Sequence, residues 1–279
     1  MKFHTFERKT KNKIFKIKPV EYFENIYIRL DFLLGYIKNN ENKFKDYVNR
    51  LIDDFQCLIK ISSAGDYKID NLSKYNNLKS NMELVRLHGD LMRQELGISM
   101  EQANSIDEIE IPSRYYWRGI ILPRYYQLVA LIKILGRYEA IKLFKDYVDQ
   151  YYIYIKSTFE HYDSLDEFYN KRIGDKRKST DNEFAVVYST VENGVYIIRI
   201  DNCPAVESLD GIDDKELIYT IMCYPDYQHA KIINENFLMT RNSTIAEGGP
   251  YCDKVFHDTR IDKDLKHFSN EFFDSMSSN

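Results

Sequence analysis

Near residue 162 the periodicity of the chain changes, and this change limits the fold more than any other feature. Up to about residue 160, apolar side chains recur at the three-to-four spacing of helices. From 184 to 258, short runs rich in Val, Tyr and Ile read as strands, with one helix among them. Between the two textures lies NKRIGDKRKSTDNE, polar, charged and nearly free of large apolar groups. The partition predicts a helical region over 20–161, a polar linker or surface loop over 162–183, and an α+β region over 184–279. Residues 1–19 carry seven Lys or Arg against one Glu and are expected to form a basic mobile arm.

Within the helical region the spacing predicts helices over 22–37, 44–61, 81–96, 124–135 and 138–159. Gly97 is placed to end the third in a left-handed conformation, and Gly136 to stop the fourth. The last two, joined through one glycine, read as an antiparallel helical hairpin. The aromatic run RYYWRGIILPRYYQ (114–127) is expected to line an apolar pocket or to turn a corner between helices.

In the second half, runs at 184–191 and 195–200 flank Asn193-Gly194, a pair that supplies the positive φ angles of a tight hairpin turn. Asp213-Asp214 is placed to cap a helix reaching about residue 222. Two more strands are expected at 236–241 and 251–257. The order β-β-α-β-β implies an antiparallel sheet with helices segregated to one side, hence an α+β fold: a helical N-terminal part packed on a C-terminal sheet.

Composition excludes several classes of function. Tyr and Phe number 23 and 16, so most of the chain has ample surface to bury and is not disordered. With 39 basic and 43 acidic residues the net charge is −4, against the basic excess of nucleic-acid binders. No run approaches the ~18–20 apolar residues of a membrane span. The first residues show no apolar core of a secretory signal, so a cytoplasmic location with reduced thiols is expected for Cys57, Cys203, Cys223 and Cys252. The P-loop, Rossmann, HExxH and GxSxG motifs are absent. The expected partner is a small-molecule substrate, with no nucleic acid and no membrane; the oligomeric state is left open.

The chemistry concentrates in FLMTRNSTIAEGGPYCDKVFHD (237–258), which gathers Arg241, Thr244, Gly248, Gly249, Cys252, Asp253 and His257. If 251–257 is a strand, Asp253, Val255 and His257 face one side and Cys252, Lys254 and Phe256 the other. Cys252 and Asp253 then share a pocket only where a kink or bulge re-aims one of them. His257 and His229 read as structural, and Asp258, His267 and the tail SMSSN as solvated or frayed.

The run Arg241-x-x-Thr244-Ile245-Ala246-x-Gly248-Gly249-x-x-Cys252-Asp253 resembles the C-terminal signature of the L-2-amino-thiazoline-4-carboxylic acid hydrolase family. Asn202-Cys203-Pro204 resembles the family's Cys-Pro after the hairpin, and Cys223-x-x-Asp226 its Cys-x-x-Asp at the end of the helix. The resemblance covers about residues 184–258, with 135–140 adding general texture. Lys254 departs from it, standing where the family has Phe.

The resemblance implies hydrolysis of a C–N bond in a small cyclic amidine or thiazoline carboxylate, or in a related cysteine-derived metabolite. The catalytic candidates are Cys252 as nucleophile and Asp226 or Asp253 as proton carrier. Arg241 is the candidate to pair with a substrate carboxylate, with Thr244, Gly248 and Gly249 completing the binding turn. No cofactor is expected. Zinc held by Cys203, Cys223 and Cys252 is the lesser alternative, weakened by the lack of a paired C-x₂₋₄-C spacing. Each cysteine also has a plain reading as a small buried hydrophobe. An alternative from another class is a small-molecule sensor or carrier domain without chemistry.

Overall fold

The computed structural model describes residues 4–7, 14–60, 67, 68, 75–178 and 186–276. Two short strands, β1 (His4–Glu7) and β2 (Ile14–Ile17), lie where a mobile arm is expected. In β2 the β-competent Ile14, Phe15 and Ile17 beside Lys16 suit the segment to pair with another strand.

The chain divides into two compact units. One comprises 14–147 with 208–210, and the other comprises 1–13, 148–207 and 211–279. The first unit is helical. It holds α1 (Pro19–Asn40), α2 (Phe44–Leu58), α3 (Asn76–Lys79), α4 (Met82–Leu96) and α5 (Met100–Ala103). It continues with β3 (Ile109–Pro112), which pairs antiparallel with β2, and α6 (Ser113–Leu135). Helix α4 packs on α2 and α6. Tyr27, Leu33 and Leu34 of α1, Leu51 and Phe55 of α2, Leu91 of α4 and Leu128 of α6 are fully buried. Each such side chain contributes roughly 1.5–3 kcal/mol of transfer free energy.

The run 114–127 turns no corner: it lies inside α6, with Pro123 in the helix interior. An interior proline costs about 3 kcal/mol, since it removes one donor and crowds the carbonyl four residues back. The buried Ile121, Leu122, Leu128 and Leu131 on the same helix offset that cost. Gly97 closes α4 at φ 69°, as its spacing predicts.

The division between units falls within α7 (Arg137–Tyr154). The second unit continues with α8 (Leu165–Lys178), β4 (Val186–Glu192), β5 (Val195–Ile200) and α9 (Pro204–Glu207). α10 (Lys215–Met222), α11 (Pro225–Ile233), β6 (Phe237–Thr240), β7 (Cys252–Asp258) and α12 (Asn270–Ser275) complete it. Helix α8 corrects the expected linker. Ser164 accepts from the Glu167 amide (3.1 Å) at its start, and Glu167 accepts from the Asp163 amide (2.8 Å). Leu165, Phe168 and Tyr169 anchor it in the core, so a polar run forms a helix because its first turn is capped and buried. Residues 179–185 of the expected linker lie outside the described residues.

The five-stranded sheet has the order β1-β4-β5-β7-β6, with every neighbouring pair antiparallel. The α+β class is thus what the change of periodicity predicts. Asn193 and Gly194 take φ of 51° and 75° and turn β4 into β5. On one face Tyr196, Ile198, Met239, Cys252 and Phe256 pack with residues of α8 and α11. The other face is not bare. Ile197, Tyr251 and Val255 pack there against Phe273 and Met276, so helices are not confined to one side. The expected fraying is corrected with it. Asp258 is buried, and the His267 ring stacks on Phe273 with centroids 5.4 Å apart.

Candidate functional site

The site forms where two helix ends meet the hairpin of β6 and β7. Asp214 caps α10, its carboxylate accepting from the Leu217 amide (3.3 Å), and Cys223 follows the last turn. Pro225 then opens α11 at a first-turn position that suits a residue without an amide donor, and it places Asp226 in that turn. Arg241 leaves the end of β6 pointing back at both. Its guanidinium donates to the Cys223 carbonyl (3.1 Å) and to Oδ2 of Asp226. Lys254 Nζ lies 2.7 Å from the same carboxylate oxygen. Two cations on one carboxylate leave one positive charge in excess. Arg241 is almost wholly buried, with a side chain 2% exposed, and its Nε has no hydrogen-bond partner.

Burial alone would raise the Asp226 carboxyl, but Lys254 and Arg241 outweigh it and hold the group well below the usual carboxylate range. Burial would likewise lower the Arg241 guanidinium, and Asp226 overrides it, so the pair is ionised.

The turn after Arg241 aims a backbone donor at the thiol. Thr244 is buried and caps a short 3₁₀ turn (Ile245–Glu247): its hydroxyl accepts from the Glu247 amide (3.1 Å) and donates to Glu247 Oε2 (2.8 Å). Gly248 ends the turn at φ 90°, where a side chain would be strained. A Cβ at Gly249 would stand 2.9 Å from the Thr244 carbonyl. The resulting loop presents the Ile245 amide to Cys252 Sγ at 3.3 Å. Thr244, Gly248 and Gly249, expected as substrate contacts, thus build the turn.

Cys252 is buried and lies on the core-facing side of β7 with Phe256. Cys252 is close enough to Cys203 and Cys223 to influence their ionisation, and Lys254 and Arg241 influence its own. Burial is the largest effect on all three thiols. It pushes Cys203 up to about 11 and Cys223 to about 12, and it raises Cys252 against the pull of the Ile245 amide and the two cations. The resting thiols are protonated, not the low-pKa thiolate of an exposed reactive cysteine. Among the described residues no group of three or more His, Cys, Asp and Glu is arranged to hold a metal ion. Cys57 is exposed on α2, in the helical unit.

Asp253 does not share a face of β7 with Cys252. No bulge re-aims it: paired with Arg199 in an unbroken ladder, it faces the opposite side of β7, as strand alternation requires. Its Oδ1 accepts from the Asn242 and Ser243 amides (2.9 and 2.8 Å) and fixes the start of the turn. His229 packs its ring on Phe159, 5.3 Å between centroids. His257 is fully buried and bonded to Thr240 and Asp262. Sequence reasoning placed Lys254 on the Cys252 face of the strand and noted its departure from a motif, but gave it no role in the site. Its signal was present: alternation puts it on the same face as Cys252.

The second unit is therefore an α+β body carrying three clustered thiols beside an ion-paired Arg–Asp–Lys group. A family model described as L-2-amino-thiazoline-4-carboxylic acid hydrolase matches residues 125–256. The resemblance read from the C-terminal motif is borne out, and the match reaches upstream into α6. The family description is that of a hydrolase acting on a thiazoline carboxylate. No curated protein and no solved structure matches the chain. No helix among the described residues is long and apolar enough to cross a membrane.

Proposed function

We propose that the chain hydrolyses a small cyclic amidine or thiazoline carboxylate at a thiol-dependent site centred on Cys252. The observation that carries the reading is that the Cys252 thiol, held by the Ile245 amide, lies on the same face of β7 as Lys254, which with Arg241 brings surplus positive charge to the Asp226 carboxylate. A substrate carboxylate is held by Lys254 and by the unpaired Nε of Arg241. Asp226 orients the two cations. Because they hold its carboxyl ionised at neutral pH, it is a poor proton carrier, and its role is positioning.

Protonated Cys252 suits a neutral amidine. The thiol adds across C2=N, forming the S–C2 bond and delivering its proton to the ring nitrogen. The adduct collapses by breaking a ring bond at C2: a nitrogen that stays on C2 re-forms C2=N and gives up its proton to the departing ring atom. Water then adds across the C2=N bond, one of its protons going to nitrogen, and collapse to C2=O breaks the S–C2 bond as the second proton passes from oxygen to sulfur, so Cys252 is released as a thiol. The Ile245 amide stabilises negative charge on sulfur during each transfer.

The test is turnover of 2-amino-thiazoline-4-carboxylate by the parent protein and by Cys252→Ser, followed by mass spectrometry of the ring-opened product. Product from the parent and none from the variant supports the reading. Equal turnover by both overturns thiol catalysis.

The raised thiols favour one competing reading, a sensor or carrier domain that binds without chemistry. Binding at full strength by Cys252→Ala, with no turnover by the parent, decides for it.

A further inference from the structure

The second face of the sheet carries a hydroxyl, an imidazole and a carboxylate in series, none of which the thiol site uses. Strand pairing sets Thr240 opposite Val255 and Leu238 opposite His257, so Thr240 and His257 are diagonal neighbours on one face of β6 and β7. The chain then turns back. The Ile261 and Asp262 amides both donate to the Asp258 carbonyl (2.9 and 2.8 Å), which brings the Asp262 carboxylate onto the His257 ring. Asp262 Oδ2 lies 2.6 Å from His257 Nδ1, and His257 Nε2 lies 2.9 Å from Thr240 Oγ1. His267 Nδ1 lies 2.9 Å from the same hydroxyl.

The donors follow from what each group can carry. A carboxylate only accepts, so the Asp262 contact assigns the ring hydrogen of His257 to Nδ1. Nε2 is then the acceptor and takes the Thr240 hydroxyl hydrogen, and His267 Nδ1 donates to the oxygen. A hydroxyl on the free nitrogen of an imidazole whose other nitrogen is held by a carboxylate is the arrangement that activates a nucleophile for acyl transfer. Burial suits the roles. His257 is fully buried and the Asp262 side chain is 17% exposed, whereas Thr240 ends the edge strand β6 and is partly exposed.

We propose that Thr240, His257 and Asp262 form a second catalytic site, which takes a short, uncharged acyl ester or thioester. Thr240 Oγ1 attacks the acyl carbonyl, forming the Oγ1–C bond as His257 Nε2 accepts the hydroxyl proton. The carbonyl oxygen takes up negative charge beside the donor on His267 Nδ1. Collapse breaks the bond to the alcohol or thiol, which leaves with the proton from His257. Water then adds to acyl-Thr240 and gives one proton to His257. Collapse releases the carboxylic acid and returns that proton to Oγ1. The neighbours of the hydroxyl set the substrate: Val255 and Leu238 on this face are apolar, and Asp253, its other diagonal neighbour, repels an anion. The two faces of the sheet thus select opposite substrates, anionic at the thiols and uncharged at Thr240.

The test is labelling of the folded full chain by an alkyl fluorophosphonate, which loses fluoride to an activated hydroxyl and leaves a stable ester, with the labelled residue mapped by peptide mass spectrometry. Label should fall on Thr240 and vanish when the chain is unfolded in urea. Thr240→Ser should keep it and Thr240→Val should lose it. Cys252→Ser should label at the parent rate, which separates this site from the thiol reading. Asp262→Asn should slow labelling about 10²–10⁴-fold, the span of a general base's contribution, because a carboxamide can hold the wrong tautomer. No label on Thr240 in the parent overturns the proposal whether or not any variant folds. Equal rates in the parent and Asp262→Asn overturn the activation by His257 and Asp262.

Discussion

Lys254 holds its ammonium 2.7 Å from the Asp226 oxygen that Arg241 also engages, so a carboxylate on α11 is shared by cations from two strand positions thirteen residues apart. Lys254 gives the site its surplus positive charge. Lys254→Met keeps the length and removes that charge. The expected result is a KM for an anionic substrate raised about 10–100-fold, the effect of losing about 1.5–3 kcal/mol of a charge-assisted contact. Steady-state kinetics against a neutral amide of the same substrate provide the control, and an equal rise for both removes Lys254 from anion binding.

Asp226→Asn leaves buried Arg241 without its counter-charge. Removing one member of a buried pair costs about 3 kcal/mol or more, and urea unfolding should show the loss. The pH dependence has a definite sign. The folded-state pKa of Asp226 is lowered, so its contribution is fully present above the unfolded carboxylate value of about 3.9 and fades as pH falls through the folded value. The difference in stability between parent and variant should therefore be constant at neutral pH and shrink below about pH 4. A difference that persists undiminished into strong acid rejects the ion pair as its source.

Much of this was legible in the sequence, and the gaps have physical causes. The hairpin over Asn193-Gly194, the Asp214 cap and the alternation along 252–257 all rest on local rules, and the structure follows them. Helix α8 was missed because the polar composition of its latter half hid the buried Leu165, Phe168 and Tyr169 at its start. β1 was missed because its partner, β4, lies about 180 residues away, beyond any local signal. Within the site, Cys252, Arg241 and Asp226 were singled out by motif, and Asp253 with them by adjacency to Cys252. Strand alternation separates the two residues, and no bulge intervenes. The pairing of Lys254 with Asp226 joins residues 28 positions apart, so it depends on tertiary geometry.

The thiols should rank by burial. Cys57 is exposed and should react first with a disulfide reagent at pH 8, whereas Cys203, Cys223 and Cys252 should be slow. For a raised thiol, stability is fully present below the unfolded pKa of about 8.5 and declines as pH rises toward the folded value. For Cys203 and Cys223 that window runs from about 8.5 toward about 11 and about 12. Alkylation of Cys203, Cys223 and Cys252 should accelerate across it, with a parallel loss of stability. Fast modification of Cys252 at pH 7 in the absence of substrate would contradict its burial.

His88 sets a separate acid limit in the helical unit. It is fully buried between Tyr27 and Phe55, its Nε2 is 3.2 Å from Gln127, and burial lowers it to about 3. The unfolded chain binds a proton near pH 6.5 that the folded chain refuses, so stability is full above about 6.5 and falls as pH drops toward the folded value. The loss at about pH 4 is on the order of 3 kcal/mol for this residue. Trp117, the sole tryptophan, lies on α6 in the same unit and reports unfolding by fluorescence. His88→Leu strands the Gln127 amide and should lower stability at pH 7 by about 1–3 kcal/mol. It should also flatten the acid slope between about pH 6.5 and pH 4, because no ring remains to be protonated on unfolding. Urea titrations at both pH values measure the difference, and an acid slope equal in parent and variant would assign it to other groups.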